Sequence, residues 1–85
     1  MKLIFCTSCH DIVKLHSEPR TCLCGKSGGR YVDELNAEIK GHAVPLGISN
    51  VTLVAALVCR PPSGMGERFD AFVIPHQCDT VKKTD

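Results

Sequence analysis

Short apolar runs separated by turn residues predict a chain made mostly of β-strands. Residues 2–5 and 12–15 are the first two runs, and a proline-containing turn signal follows at 17–20. Alternating apolar and polar positions predict further strands at 30–35, 37–48, 67–74 and 81–83. Gly41 and Pro45 indicate a bulge or an edge position, so the stretch that contains them counts as one or two strands.

One segment has a different pattern, which favours a helix. Residues 51–59 are apolar apart from a single threonine; Ser49 before them is a good N-cap, and Pro61 ends the run. The residues spaced for one helical face, which we expect to pack on the sheet, are Leu53, Val54, Leu57 and Val58. Several β-branched residues in this segment leave a buried strand as the alternative.

Length and composition suggest that this fold needs extra stabilisation. The 85 residues amount to one domain, and its core must be aliphatic because the chain has no tryptophan and only four other aromatic residues. Its 44% apolar and 22% charged residues are typical of a globular chain. A chain of this size buries only about 60–65% of its unfolded surface, so a metal, a disulfide or a partner subunit often completes such folds.

Four of the six cysteines stand in two closely spaced pairs. Cys6 and Cys9 form the first pair, and Cys22 and Cys24 follow after twelve intervening residues. Two such turns facing each other give zinc the four thiolates of a tetrahedral site, and the intervening segment is long enough for a hairpin. Gly25 suits the second turn because a residue without Cβ lets backbone amides point towards sulfur. The sequence therefore predicts a Zn²⁺ site.

Other interpretations of these cysteines remain open. The second pair is one residue shorter than the commoner C-x-x-C, and His10 is the nearby substitute ligand. Free or disulfide-bonded thiols are the alternative, although the reducing cytoplasm that we expect for this chain disfavours disulfides. A catalytic zinc needs an open coordination position, which four thiolates do not leave. We therefore expect a structural zinc ion and no enzymatic activity.

Two cysteines lie outside this cluster. Cys59 ends the predicted helix, and we expect it to be a small buried apolar residue. Cys78 follows His76 closely, a pairing that suggests a nucleophile with its base or a second metal site. The sequence offers neither a third orienting group nor a fourth ligand for this pair, so we expect no chemistry from it.

Glycine-bearing turns beside basic residues suggest a site for a small anion. The Gly25-Lys26-Ser27 segment lacks the upstream glycine of a nucleotide-binding P-loop, but its amides could still form a small anion nest. A second glycine pair precedes Arg68, and the predicted helix supplies a third turn with free N–H groups. The candidate ligand-binding residues are Lys26, Gly28, Arg30, Asn50, Arg60, Gly64, Gly66 and Arg68. They form a site only if the three turns converge.

The cysteine segment resembles a zinc ribbon of the rubredoxin-like type. The whole chain resembles small uncharacterised zinc-ribbon proteins of bacteria and their phages, through residues 22–31 (CLCGKSGGRY), 45–50 (PLGISN) and 71–75 (AFVIP). The resemblance implies no activity, but it implies that both parts of the chain form one unit. We expect an α+β fold: a zinc ribbon at 1–30 joined to a small, mostly antiparallel sheet with one helix at 31–85, packed as a single domain.

Charge limits the function classes. Residues 1–30 carry five Lys/Arg against two acids, a charge of +3, and residues 31–85 carry five against seven, a charge of −2. Strong nucleic-acid binding usually needs a clearer basic excess. We expect a binding protein for a small phosphate-bearing, nucleotide-type ligand, of the kind with which a phage sequesters a nucleotide signal. A nucleic-acid or transcription adaptor using the basic ribbon face, and a protein-interaction module or homo-oligomer, are the alternatives.

The apolar runs are too short for membrane attachment. No stretch approaches the roughly 18–20 apolar residues that span a bilayer, and the run after Lys2 is shorter than a signal peptide requires. We therefore expect a cytoplasmic protein with no membrane partner.

Overall fold

The computed structural model describes residues 1–84 and has the expected α+β architecture. Within these residues the chain forms eight strands in two sheets and one helix. In chain order the elements are β1 (Lys2–Cys6), β2 (Ile12–Lys14), β3 (Arg20–Thr21), β4 (Ser27–Tyr31), β5 (Ala37–Gly41), β6 (Ala43–Ile48), α1 (Asn50–Val58), β7 (Ala71–Val73) and β8 (Val81–Lys83).

The first sheet is antiparallel throughout and has the strand order β2-β1-β6-β7. β1 lies at its centre, with Ile4 opposite Val13 on one side and Pro45 on the other. Pro45 has no N–H to give to the ladder, but its carbonyl accepts the amide of Ile74 at 2.9 Å. The predicted segment 37–48 is thus two strands, and the second belongs to this sheet.

The second sheet has the order β3-β4-β5-β8, with a parallel pairing only between β5 and β8. The chain passes from this sheet to the first at Gly41 and His42, between β5 and β6. Gly41 has a φ of +73°, and the His42 amide donates to the Lys26 carbonyl at 3.3 Å. This tight crossing brings both sheets together beside the cysteines.

The core lies between the sheets and is aliphatic, as expected from the scarcity of aromatic residues. Its buried members are Ile4, Leu15, Ala37, Ile39, Ala43, Ile74 and Val81. Tyr31 packs at its margin, and the Tyr31 hydroxyl accepts the Lys2 amide at 2.8 Å. Several of the buried residues are small, which agrees with a chain whose core alone contributes modest stability.

The helix forms where the sequence places it, but it does not pack as expected. Ser49 is the N-cap, with its side-chain oxygen accepting the Thr52 amide. Ala56 is the buried residue of α1, whereas Leu57 is 60% exposed and Val58 is 81% exposed. The expectation that an apolar face of this helix covers the sheet is therefore wrong. Four of the aliphatic side chains of this nine-residue helix, Val51, Val54, Leu57 and Val58, are more than half exposed.

Two strands differ in extent from their predictions. The strand expected at 30–35 is β4, which starts at Ser27 and ends at Tyr31. The residues after it form a turn, because Asp33 Oδ1 accepts the amides of Leu35 and Asn36 at 2.8 and 2.7 Å. The strand expected at 67–74 is limited to β7.

The two predicted segments of the chain are interleaved in the fold. β4 runs across residue 30, the predicted end of the ribbon. β1 pairs with β6, and β4 pairs with β5, so each sheet combines strands from both sides of that position. The division at residue 30 stays a sequence-based prediction.

Candidate metal centre

The first cysteine pair lies in a tight turn at the end of β1. The Cys6 amide donates to the Asp11 carbonyl at 2.9 Å, and the His10 amide donates to the Cys6 carbonyl at 2.8 Å. His10 has a φ of +61°, the left-handed conformation in which non-glycine residues are uncommon. Its ring stacks on Phe5 at 5.3 Å between centroids. His10 therefore shapes the turn, and Cys9 supplies the second sulfur.

The second pair lies in the turn between β3 and β4. The Cys22 amide donates to the Ser27 carbonyl at 3.0 Å, and the Gly25 amide donates to the Cys22 carbonyl at 3.1 Å. Gly25 has a φ of +77°, a left-handed conformation that a residue without Cβ adopts without strain, as the sequence suggests. The Leu23 amide donates to Asp11 Oδ2 at 3.1 Å. Asp11 thus contacts both cysteine turns and ties them together.

The four sulfur atoms converge on a volume suited to one metal ion. All of them lie within 4.8 Å of one another. Cys6 Sγ is 3.8 Å from Cys24 Sγ, and Cys22 Sγ is 3.5 Å from Cys24 Sγ. A tetrahedron with Zn–S bonds of about 2.3 Å has sulfur–sulfur edges of about 3.8 Å. All six cysteines of the chain are free thiols, so the disulfide alternative is not the arrangement of this structure.

Hydrogen bonds to sulfur favour the ionised form of two of the thiols. The pKa of Cys6 is lowered to about 5, mainly by the hydroxyl of Ser27. Desolvation opposes this shift, and the amides of Cys9 and Ser8 add to it. Desolvation opposes ionisation of Cys22, but the Ser27 amide and the Cys24 thiol outweigh it and lower the pKa of Cys22. These groups prepare thiolates, which are the form of cysteine that binds metals.

Cys24 has the opposite shift because it shares a small space with the other sulfurs. The Lys26 amide favours its thiolate, but desolvation and the neighbouring cysteines prevail and raise the pKa of Cys24 to about 11. Negative charge gathered on neighbouring sulfurs disfavours a further thiolate. A divalent cation at the centre of the cluster would remove this repulsion, so the donor set fits a metal ion.

Ser27 is a contributor to the site that the sequence analysis did not identify. Ser27 is only 1% exposed. Its Oγ has no partner within ordinary hydrogen-bond geometry, and among the described residues 1–84 it is the buried side-chain oxygen or nitrogen of which this is true. The group that it approaches is the Cys6 thiol, whose pKa it lowers. A buried hydroxyl that favours the thiolate form of a candidate ligand supports the assignment of a metal site.

The predicted anion-binding turns are not the structures that the sequence suggested. Gly28 lies inside β4, between Thr21 of β3 and Lys40 of β5, and its amide belongs to a sheet and not to an open nest. A Cβ at this position would lie 3.0 Å from the Arg20 carbonyl. Arg30 forms an ion pair with Glu38 at 3.0 Å. Gly28 thus lies in a strand with neighbours on both sides and not in the turn that the sequence suggested, and its role in binding an anion stays a prediction.

The other predicted ligand residues lie on separate parts of the surface. Lys26 is exposed beside the second cysteine turn, and Asn50 begins α1. Four more follow the helix on an exposed stretch of chain: Arg60, Gly64, Gly66 and Arg68. None of the eight lines either of the two cavities that we describe within residues 1–84.

Two basic residues of the N-terminal segment make contacts within the protein. The Lys2 ammonium donates to the Leu35 carbonyl and lies 5.5 Å from the centroid of the Tyr31 ring. Arg30 is paired with Glu38. Lys14, Arg20 and Lys26 remain as exposed cations, so the basic face available to a nucleic acid is smaller than the sequence count implies.

Of the two cysteines outside the cluster, Cys59 differs from its expected environment. Cys59, expected to be buried, is exposed because α1 projects from the sheets. Cys78 is half-buried against the core, and its sulfur lies 3.4 Å from Thr80 Oγ1. The hydroxyl and the amide of Thr80 lower the pKa of Cys78.

A cavity of about 400 Å³ lies where the two sheets meet, between β6, β7 and β8. Its apolar wall includes Ile39, Ala43 and Ile74, and its polar groups include His42 and Lys83. These residues come from distant points of the chain, so no local sequence motif could have revealed them. A second, shallower cavity of about 390 Å³ lies beside Tyr31.

Comparisons with protein-family models, with curated proteins and with solved structures found no match. The relation to zinc ribbons therefore rests on the four converging cysteines. Within residues 1–84, α1 falls well short of the length needed to cross a membrane.

Proposed function

We propose that this protein is a non-enzymatic binding module whose fold is held by one structural zinc ion, and that it acts through contacts made by α1. The convergence of four sulfurs within 4.8 Å carries the zinc assignment. Thiolates are the ligands that structural zinc prefers, and tetrahedral four-sulfur coordination is its common geometry.

The donor set supports a structural ion over a catalytic one. Four protein ligands fill a tetrahedral zinc site, whereas catalytic zinc keeps one position for water or substrate. The site also joins elements of different sheets, since Cys6 ends β1 and Cys22 precedes β4. An ion held there links the two sheets at one point, which is a stabilising role.

Removal of one sulfur tests the structural role. Cys22→Ser should reduce zinc content and lower the melting temperature by more than about 10 °C, because metal binding and folding are coupled in such sites. Cys59→Ser is the matched control, since Cys59 is exposed and outside the cluster. Metal analysis and thermal unfolding of both variants, with and without a strong chelator, provide the measurements. Equal stability and zinc content in the two variants would refute the assignment.

The exposed helix supports the interaction role. Residues 50–58 contain no charged side chain, and the strongly exposed residues Val51, Val54 and Val58 follow a three-and-four spacing along one face. A helix that is apolar on all sides is normally covered, and nine residues are too few for a stable helix in water on their own. The occupant that we propose is a second copy of this chain.

The available area suits a small symmetric dimer. Four aliphatic side chains of α1 are more than half exposed, and Phe69 and Phe72, which flank Asp70, are 42% and 56% exposed. With about 100 Å² for each aliphatic and about 200 Å² for each aromatic side chain, each multiplied by its exposed fraction, one copy offers roughly 500 Å². Two copies then bury roughly 1,000 Å², the lower limit for a specific interface.

The charges at the helix ends complement each other in an antiparallel pair. Arg60 follows the C-terminal end of α1. Asp70 lies at the N-terminal end, where its amide donates to Thr52 Oγ1 at 2.9 Å and its carbonyl accepts the Ser49 amide at 3.0 Å. Two antiparallel copies of α1 bring Arg60 of one copy near Asp70 of the other. The uncharged residues 50–58 of one copy then pack against the same residues of the other copy.

A charge placed on this surface should separate the copies. Leu57→Glu puts like charges across the two-fold axis, so we expect a concentration-dependent dimer to become a monomer in light scattering coupled to size-exclusion chromatography. Leu35→Glu is the matched control, because Leu57 and Leu35 are both 60% exposed and Leu35 lies in the turn between β4 and β5 and not in α1. A wild-type protein that stays monomeric at all concentrations would refute self-association, whatever other partner it binds.

The nucleotide-type ligand expected from the sequence rests on residues of different elements, none of which lines either cavity within residues 1–84. Its best remaining support is the exposed stretch with Gly64, Gly66 and Arg68. Thermal shift and calorimetry with a panel of cyclic and ADP-ribose-type nucleotides test it, with Arg68→Ala as the variant that should abolish binding. The nucleic-acid adaptor is tested by DNA or RNA binding near physiological salt, where three exposed ribbon cations predict weak affinity.

A further inference from the structure

The larger cavity has the form of a small-molecule site. Its volume of about 400 Å³ lies in the usual range for ligand pockets. Its floor belongs to the core, because Ile39, Ala43, Ile74 and Val81 line it and are themselves buried. The floor of the cavity is therefore made of core side chains, and an apolar ligand group that packed on it would be stabilised by the hydrophobic effect.

The polar residues that line this cavity are a lysine, two histidines and a threonine. Lys83, His42 and His76 bring side-chain nitrogens, and Thr7 brings a hydroxyl. No carboxylate is among the lining residues, although the C-terminal segment that supplies most of them has a net negative charge. A cavity with an ammonium group, two imidazoles and no acid is complementary to an anion.

The imidazole of His42 is held in place at the edge of the cavity. His42 Nδ1 lies 2.7 Å from Ser8 Oγ, and the His42 carbonyl accepts the Thr7 amide at 3.2 Å. With Nδ1 engaged by Ser8, Nε2 is the ring nitrogen left for a ligand. The position of this ring is therefore set by the turn that carries the first cysteine pair.

From this arrangement we infer that the cavity binds a small organic anion, whose apolar body lies on the Ile39, Ala43 and Ile74 floor and whose carboxylate or phosphate group contacts Lys83, His42 and His76. This site shares no residue with the predicted ligand-binding set, and none of its lining residues belongs to α1. It goes beyond the proposed function and is independent of self-association, so either proposal can fail alone.

Three probes with eight carbon atoms each separate the contributions of charge and apolar surface: sodium octanoate, octyl phosphate and 1-octanol. Titration of the zinc-loaded protein, followed by backbone amide NMR shifts, should place the binding of at least one anion on β5–β8 around the cavity. We expect a dissociation constant below about 1 mM for that anion and clearly weaker binding of 1-octanol. The stronger of the two anions identifies the carboxylate or phosphate class.

Two neighbouring lysines provide the matched variants. Lys83 lines the cavity, whereas Lys82 is equally part of β8 and exposed but does not line it. Lys83→Gln should weaken anion binding about tenfold, as loss of a charged hydrogen bond does, and Lys82→Gln should leave it unchanged. Equal effects of both variants, binding of 1-octanol as strong as that of the anions, or shifts confined to α1 would each overturn the proposal.

Discussion

At the residue scale, the most constrained position is a glycine that no chemical motif singles out. Gly41 has a φ of +73°, and a Cβ on it would lie 1.8 Å from the Lys26 carbonyl oxygen. That carbonyl also accepts the His42 amide, so it is fixed where the chain passes from one sheet to the other. Gly41 allows the close approach on which the relative position of the two sheets depends.

Alanine in place of Gly41 should lower the free energy of unfolding by more than its backbone conformation alone would, because the added Cβ would clash with the Lys26 carbonyl. Gly64 is the matched control, because its φ is +88° and a Cβ there would meet nothing within 4 Å. Gly64→Ala should reduce the free energy of unfolding by about 1–2 kcal/mol, the cost of a left-handed residue with Cβ. Gly41→Ala should reduce it by about 3–5 kcal/mol, in the range of severe single substitutions. Urea unfolding measures both, and equal losses would contradict the role given to the Lys26 carbonyl.

The cysteines are the residues whose role sequence reasoning predicted best. Their partners are near in sequence, and zinc requires four donors at distances that two short turns can provide. The local structure of Gly28, which lies in β4 and not in a turn, was not predicted, for the opposite reason. In the sequence, two adjacent glycines suggest a flexible turn. Gly28 instead belongs to a strand because it pairs with β3 and β5, and local composition does not reveal such long-range pairing.

At the element scale, the boundaries of α1 were predictable and its environment was not. Ser49 and the prolines after residue 60 are local signals, and the structure follows them. Exposure of Val54 and Leu57 depends on how far the neighbouring strands extend. β7 is limited to Ala71–Val73, so the sheet provides little surface for the helix to cover.

The turn between β4 and β5 depends on one carboxylate. Asp33 Oδ1 accepts the amides of Leu35 and Asn36, and both Asp33 oxygens accept the Asn36 side chain. The amide of Asn36 is the main cause of the lowered pKa of Asp33, followed by the Asn36 side chain and the Leu35 amide. The charge of Asp33 therefore favours the folded chain.

The pH dependence follows from this direction. Because the folded pKa is lower than the unfolded one, the stabilisation is present above the unfolded value near 4 and is lost as pH falls through the folded value. Asp33→Asn keeps an acceptor oxygen but removes the charge. At neutral pH the free energy of unfolding of the wild type should therefore exceed that of the variant, and this difference should vanish towards about pH 2. Urea unfolding over this pH range measures it. Glu34→Gln is the control, and a constant difference for Asp33→Asn would contradict the charge-based explanation.

At the scale of the whole molecule, two small sheets share a thin aliphatic core. The sheets are joined by the crossing at Gly41, by the core contacts of Ile4 and Ile39, and by the cysteine cluster. The cavity and the exposed helix are two places where apolar residues of the described chain are open to a partner or ligand. The α+β class was predictable from hydrophobic patterning, but the division into two sheets and the cavity between them depend on tertiary pairing.

The central claim is that one zinc ion, bound by four sulfurs, holds this fold. The most direct measurement is zinc K-edge X-ray absorption on the purified protein, together with its zinc content. We predict one zinc ion per chain, surrounded by four sulfur atoms at about 2.3 Å. A folded protein that contains no zinc, or a zinc ion with nitrogen or oxygen in place of one of the four sulfurs, would contradict this account.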